Sequence, residues 1–407
     1  MKKTRWIVAL LAVALVVGAV AVLAVGCGTT TTTDDNGGST GSSTDVSTDD
    51  TTQVRPGISG VSADVESVSA EDTGQTYTGD DALVFSLGMP EAASMVQTFV
   101  NPWIEAVEAG SNGRVEITSY PGNSLVKEEM QLRALDNGTS DMLMFQIGWA
   151  PEVFPLMEFG DLPMLFPNTE VAIRTMWTLI DEYRPDELKD YHILALAAIS
   201  PAEYGGYSPV KSVADFQGLA LRSGSSAETD IIEALGATAF PAGTDYVGTQ
   251  VQQKRFDGLF LSWSFHAGNT VFYLPHYTKC DMFVRFLVLA MTKENWESLP
   301  AEVQQSIANA SGLENSVKYA NDDAAYNYDN SSIPGLQDKN QDYLRVVEAA
   351  AENGGEIYEL TDAERAEWQE AMKPVLEEWV AKYADILPTQ EIWDRAQELI
   401  EEYSAGQ

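Results

Sequence analysis

From about residue 80 onward, short apolar runs alternate with stretches of helical period. Leu83-Val84-Phe85-Ser86-Leu87 is a compact apolar run broken by Gly88-Met89-Pro90, which predicts a buried strand. Met95, Phe99, Trp103 and Val107 then recur at every fourth position and mark one face of a helix, with Pro102 placed to kink it. A second strand at Val115-Glu116-Ile117, a turn at Tyr120-Pro121-Gly122-Asn123 and a helix over 126–135 closed by Asn137-Gly138 follow. Apolar runs at 142–145, 193–197, 219–222 and 256–261 continue the alternation, which predicts an α/β fold with largely parallel sheets. Beyond about residue 299 the pattern turns helical. Leu299-Pro300-Ala301-Glu302 marks one helix start, and Thr361-Asp362-Ala363-Glu364 has the spacing of a capping box at another.

The first 79 residues follow different rules. Lys2, Lys3 and Arg5 precede an uncharged apolar run from position 6 to 26, the pattern of an export signal. It ends in Leu23-Ala24-Val25-Gly26-Cys27, which resembles a bacterial lipobox, so residues 1–27 are expected to be a lipoprotein signal peptide with Cys27 as the lipidated residue. A run of this length also suits an uncleaved anchor, since about 20 residues cross a bilayer; both readings put the rest of the chain outside the cytoplasm. Residues 28–79 are mostly Thr, Ser, Asp and Gly, a composition too poor in apolar side chains to offset ordering entropy, and they read as a disordered tether. The remainder exceeds the usual size of one core and predicts two domains.

Charge narrows the list of partners. The chain has 24 Lys and Arg against 61 Asp and Glu; setting aside four basic and nine acidic residues before position 80 leaves 20 against 52. So negative a surface makes nucleic acid and anionic membranes poor partners, although cations local to a pocket still suit a small anion. Residues 80–407 contain no G-x-G-x-x-G, G-x-x-x-x-G-K-[ST], G-x-S-x-G or H-E-x-x-H, and no cofactor or metal is expected. His192, His266 and His276 are few for acid–base or metal chemistry, and Cys280 reads as a small buried hydrophobe.

Seven segments occur in an order that resembles the TRAP-type (tripartite ATP-independent periplasmic) solute-binding proteins of the dicarboxylate-binding-protein family. They are Gly113-Arg114-Val115-Glu116-Ile117 with Tyr120-Pro121, 135–142, Leu162-Pro163-Met164-Leu165-Phe166, 210–222, Glu233-Ala234-Leu235-Gly236-Ala237, Phe256-Asp257-Gly258 and Trp296-Glu297-Ser298-Leu299-Pro300. The resemblance implies an α/β two-lobed clamshell, each lobe a mostly parallel sheet flanked by helices, with a long bridging helix and C-terminal helices. Chain crossings near 205 and 287 would divide it into lobe I, 80–205 plus 287–330, and lobe II, 206–286 plus 331–407. The function implied is an extracytoplasmic solute receptor that captures a small organic acid between the lobes and delivers it to TRAP membrane subunits. An importer driven by an ATPase would use the same clamshell, and a lipid-anchored glycan hydrolase is a reading from another class.

The resemblance assigns Arg222 to the ligand carboxylate, which a planar guanidinium holds through two parallel charge-assisted hydrogen bonds. The competing reading is a surface arginine paired with Asp215 or Glu228. The chain departs from the family pattern in carrying Tyr207-Ser208-Pro209 and Leu259-Phe260-Leu261-Ser262-Trp263 where relatives place polar groups. Gln146, Trp149, Phe260, Ser262 and Trp263 are therefore substrate-binding candidates, with core packing the alternative for Gln146, Trp149 and Trp263. One retained cation among lost polar groups predicts a monocarboxylate with an apolar body.

Overall fold

The computed structural model describes residues 82–87, 94–127, 130–146, 153–243, 246–328 and 342–406. Cys27, the tether over 28–79 and Trp149 lie outside the described residues. Among the described residues, eleven strands form two sheets. The first has the order β2-β1-β3-β10-β4, from β1 (Ala82–Leu87), β2 (Glu116–Tyr120), β3 (Met142–Gln146), β4 (Tyr191–Ile199) and β10 (Arg285–Thr292). The second has the order β11-β9-β5-β8-β6-β7, from β5 (Glu203–Gly206), β6 (Ala220–Ser223), β7 (Thr238–Pro241), β8 (Gly258–Leu261), β9 (His276–Lys279) and β11 (Glu356–Glu359). Each sheet contains one strand that runs antiparallel to both its neighbours, β10 in the first and β5 in the second; the remaining pairings are parallel. Each of these two strands is entered directly from the other sheet, with no helix between. The chain leaves the first sheet between Ile199 and Glu203 and returns between Lys279 and Arg285. The two passages are tied together where Ala202 N–H donates to Phe283 O (2.8 Å) and Met282 N–H to Ala202 O (2.9 Å).

Both faces of the first sheet are covered, which is why its strands read as continuous apolar runs. Successive side chains point to opposite faces. Leu143, Phe145, Phe286 and Val288 pack on one side with the helices Thr169–Tyr183 and Thr389–Ala405. Met142, Met144, Leu287 and Leu289 pack on the other with Asn101–Gly110 and Ala301–Ala310. Met95, Phe99, Trp103 and Val107 are all buried there, as their spacing requires. Pro102 sits in the first turn of Asn101–Gly110, where its missing N–H costs least, and the turn before it is wound as a π-helix, Val96–Val100.

The 21-residue helix Asp362–Lys382 joins the two cores. Trp368, Met372 and Val375 pack into the cluster against the second sheet, while Trp379 belongs to the cluster on the first. Its start is the capping box read from the sequence: Thr361 N–H donates to Glu364 Oε2 (2.8 Å) and Glu364 N–H returns to Thr361 Oγ1 (3.4 Å). Among the described residues, no helix is long and apolar enough to cross a membrane.

Candidate functional site

One cavity, opening to solvent, is lined by residues of both sheets. Gln146 at the end of β3, Ile199 at the end of β4 and Arg285 at the start of β10 come from the first sheet; Arg222 on β6 and Phe260 and Leu261 on β8 come from the second. Ser200 and Ser262 add hydroxyls, and Phe265 and Phe283 add apolar wall. The carboxyl ends of β3, β4, β6 and β8 gather here, the usual location of sites in open α/β sheets.

The cationic corner is built locally. β6 ends at Ser223, the chain turns through Gly224, and Ser225 caps the helix Ser226–Ala234 by accepting Glu228 N–H at 3.2 Å. Arg222 is only 2% exposed, and its Nε donates to Ala242 O at 2.9 Å, which fixes the guanidinium. A Cβ on Gly224 would stand 2.6 Å from both Nη atoms of Arg222, so glycine is what lets the guanidinium lie across this turn. Glu228 Oε2 accepts Gly224 N–H at 2.7 Å and lies 3.6 Å from Arg222 Nη1. Arg222 therefore pairs with Glu228, one of the two partners considered from the sequence, but in the interior rather than on the surface.

A second arginine, which the sequence reading passed over, stands at the same corner. Arg285 Nη2 lies 2.5 Å from Glu228 Oε2, its Nη1 donates to Ser225 Oγ at 3.4 Å, and its guanidinium rests 4.7 Å from the Phe283 ring centroid. Behind it, Asp161 Oδ1 accepts Phe286 N–H at 3.0 Å. Burial pushes the Asp161 carboxyl up to about 6, and the Arg285 charge works against that rise. The available signal was a lone arginine heading the apolar run Phe286-Leu287-Val288-Leu289 beside a passage between sheets.

Four of the site residues read from the sequence, Gln146, Arg222, Phe260 and Ser262, come together on this cavity. Trp263 goes elsewhere: it is 0% exposed and packs among Val251, Leu274 and Val346, with its ring edge-on to Tyr343 at 5.1 Å. Phe260 points to the face shared with Phe216 and Phe283, whereas Leu259 and Leu261 point to the opposite cluster that Trp263 completes. His266, one turn on, is wholly buried; its Nε2 donates to Glu203 O at 3.0 Å, so Nδ1 of the neutral ring accepts from Thr270 Oγ1 at 2.8 Å. Burial holds its pKa down at about 4, as expected of a packing histidine.

This geometry can be set beside known proteins. Against the C4-dicarboxylate-binding periplasmic protein DctP of Rhodobacter capsulatus the chain is 26% identical over 281 residues, covering 67% of this chain and 79% of that protein. A TRAP solute-binding protein from Rhodoferax ferrireducens, solved with copurified benzoate, superposes with a TM-score of 0.70 at 23% identity over 80% of this chain and 99% of that one. A marine metagenome TRAP solute-binding protein specific for aromatic acid ligands, solved with metahydroxyphenylacetate, gives the same TM-score, identity and 80% and 99% coverage. Residues 87–383 match the family model of bacterial extracellular solute-binding proteins, family 7, and the chain belongs to that family of TRAP-type solute-binding proteins.

Proposed function

We propose that this protein is an extracytoplasmic receptor that takes one small organic acid into the cavity between its sheets and passes it to a TRAP membrane permease, without chemical turnover. The observation that carries this reading is a buried, fixed guanidinium, Arg222, on the wall of an otherwise largely apolar cavity. Such a wall supplies a charge-matched grip for a carboxylate and, in Gln146, Ser200 and Ser262, few polar groups to satisfy a sugar. The ligand class that fits is a monocarboxylate with an aromatic or branched apolar body. The two structural neighbours solved with benzoate and metahydroxyphenylacetate support that class, and the dicarboxylate-binding relative marks the alternative. Thermal unfolding with benzoate, metahydroxyphenylacetate, succinate and sialate tests it, because a ligand at 100 times its Kd adds about 2.7 kcal/mol to stability. An aromatic monocarboxylate should raise the midpoint most. Stabilisation by none of the four, or by sialate alone, would overturn the reading.

The same proposal includes attachment to the membrane through lipid on Cys27, with residues 28–79 as the tether. A chain of about 50 residues at about 5–6 Å per square root of residue number reaches some 40 Å, enough for the head to approach a membrane partner. Cys27→Ser should move the protein from the membrane fraction to the soluble one. Retention after an alkaline wash would replace the lipid with an uncleaved apolar anchor.

A further inference from the structure

We propose that Gln146 selects ligands carrying a neutral hydrogen-bonding group, such as a ring hydroxyl, at the end away from the carboxylate, so that the preferred acid is hydroxylated rather than wholly apolar. The inference deepens the receptor reading above and rests on it. Gln146 lines the cavity and is only 8% exposed. The other polar side chains on the wall have protein partners. Ser200 Oγ donates to Asp323 Oδ2 at 3.3 Å, Ser262 Oγ stands 3.3 Å from Ser264 Oγ, and both guanidiniums are engaged at the Glu228 corner. Gln146 differs: among the described residues no group bonds to its side-chain amide. A buried amide without a partner forfeits the hydrogen bonds it makes in water, and one that faces a cavity is satisfied by what fills the cavity.

The fold sets how far this amide stands from the cations. Gln146 ends β3 and is paired with Leu287 of β10, two residues along from Arg285. Gln146 continues the alternation of Met142 and Met144, and Arg285 that of Leu287 and Leu289, so the two side chains leave the same face of the first sheet. Spacings of about 3.4 Å per residue and about 4.8 Å between strands put their Cα atoms roughly 8 Å apart. Arg285 reaches Glu228 Oε2, which also lies 3.6 Å from Arg222, so Gln146 stands about a ring's length across from the cationic corner. A carboxylate held by Arg222, with its body against Phe260, Phe265 and Phe283, presents its far end to Gln146. The amide offers a donor, Nε2–H, and an acceptor, Oε1, and a hydroxyl can use either. A wholly apolar far end would leave the amide unpaired, the situation in which a site built for a hydroxyl discriminates most strongly.

Calorimetry of the full chain with benzoate, 3-hydroxybenzoate and 4-hydroxybenzoate tests the assignment in wild type and in Gln146→Leu, which keeps the bulk and removes both polar groups. Wild type should bind one of the two hydroxybenzoates about tenfold more tightly than benzoate, and the variant should bring that ratio close to one. Wild type with no preference for either hydroxybenzoate overturns the inference, as does a preference that survives in the variant. An equal fall for all three acids in the variant would put Gln146 on the carboxylate and likewise sink it. Each of these outcomes leaves the receptor reading standing. Gln146→Met, with the length of glutamine, repeats the comparison should leucine disturb β3, and unfolding midpoints show which variants keep the fold. If wild type takes up none of the three acids, the receptor reading fails for aromatic acids and this inference falls with it.

Discussion

Replacing Arg222 with alanine is expected to weaken binding of a carboxylate ligand by about 30-fold to several thousand-fold, because truncating one partner of a buried charge pair costs about 2–5 kcal/mol and each 1.4 kcal/mol is tenfold. The size follows from where the guanidinium sits. It is buried, its Nε is committed to Ala242 O, and Gly224 leaves space for its two Nη atoms, so its orientation is set before any ligand arrives. The fold should survive the change, since Glu228 keeps Arg285 and Gly224 N–H as partners. Arg222→Lys should also bind more weakly: an ammonium retains the charge and loses the planar fork, and lysine has no Nε–H to hold against Ala242 O. Calorimetry on both variants decides the point. Undiminished affinity in Arg222→Ala would remove Arg222 from the site, and undiminished affinity in Arg222→Lys would reduce its role to charge alone.

How far these features were legible in the chain depends on the range of the interaction behind them. The helix face at Met95, Phe99, Trp103 and Val107, the strand runs and the capping box at Thr361 arise from contacts within one turn or one strand, and they stand where the periodicity puts them. The helix over 126–135 is shorter in its described part, Gln131–Asp136; Asn137 and Gly138, the latter at φ +73°, still end it. What periodicity does not carry is pairing across the chain. That Arg285 reaches Glu228, 57 positions away, follows from the return passage between sheets bringing β10 beside the turn after β6. Trp263 shows the complementary difficulty. An aromatic next to a polar residue after a strand reads equally well as pocket or core, and a shift of one residue exchanges the two faces of the sheet.

Glu203 ties the two passages between the sheets, and its replacement should show how much that tie contributes. It opens β5, its carboxyl is wholly buried, and Oε2 accepts the N–H groups of Cys280 (2.7 Å) and Asp281 (3.0 Å) on the return passage. Asp281 is held in turn by Arg365 Nη2 at 2.8 Å, whose Nη1 donates to Cys280 O at 2.9 Å. Glu203→Ala leaves two backbone donors without their acceptor, at about 1–3 kcal/mol each, so a loss of about 2–6 kcal/mol is expected at pH 5. Glu203→Gln keeps an acceptor and should cost far less. The pH dependence separates the two effects. Burial first, and then the Asp281 charge, raise the Glu203 carboxyl well above its ordinary 4.5, so the folded protein holds this proton more tightly than the unfolded chain does. The resulting stability is fully present below about 4.5 and is lost as pH rises towards the folded-state pKa, at about 1.4 kcal/mol per pH unit. Glutamine has no proton to release. Urea unfolding at pH 5, 6 and 7 should therefore show Glu203→Gln gaining on wild type by that slope, whereas a constant difference across the three values would mean that the carboxyl is already ionised in the fold and that the passages are joined by a charged group.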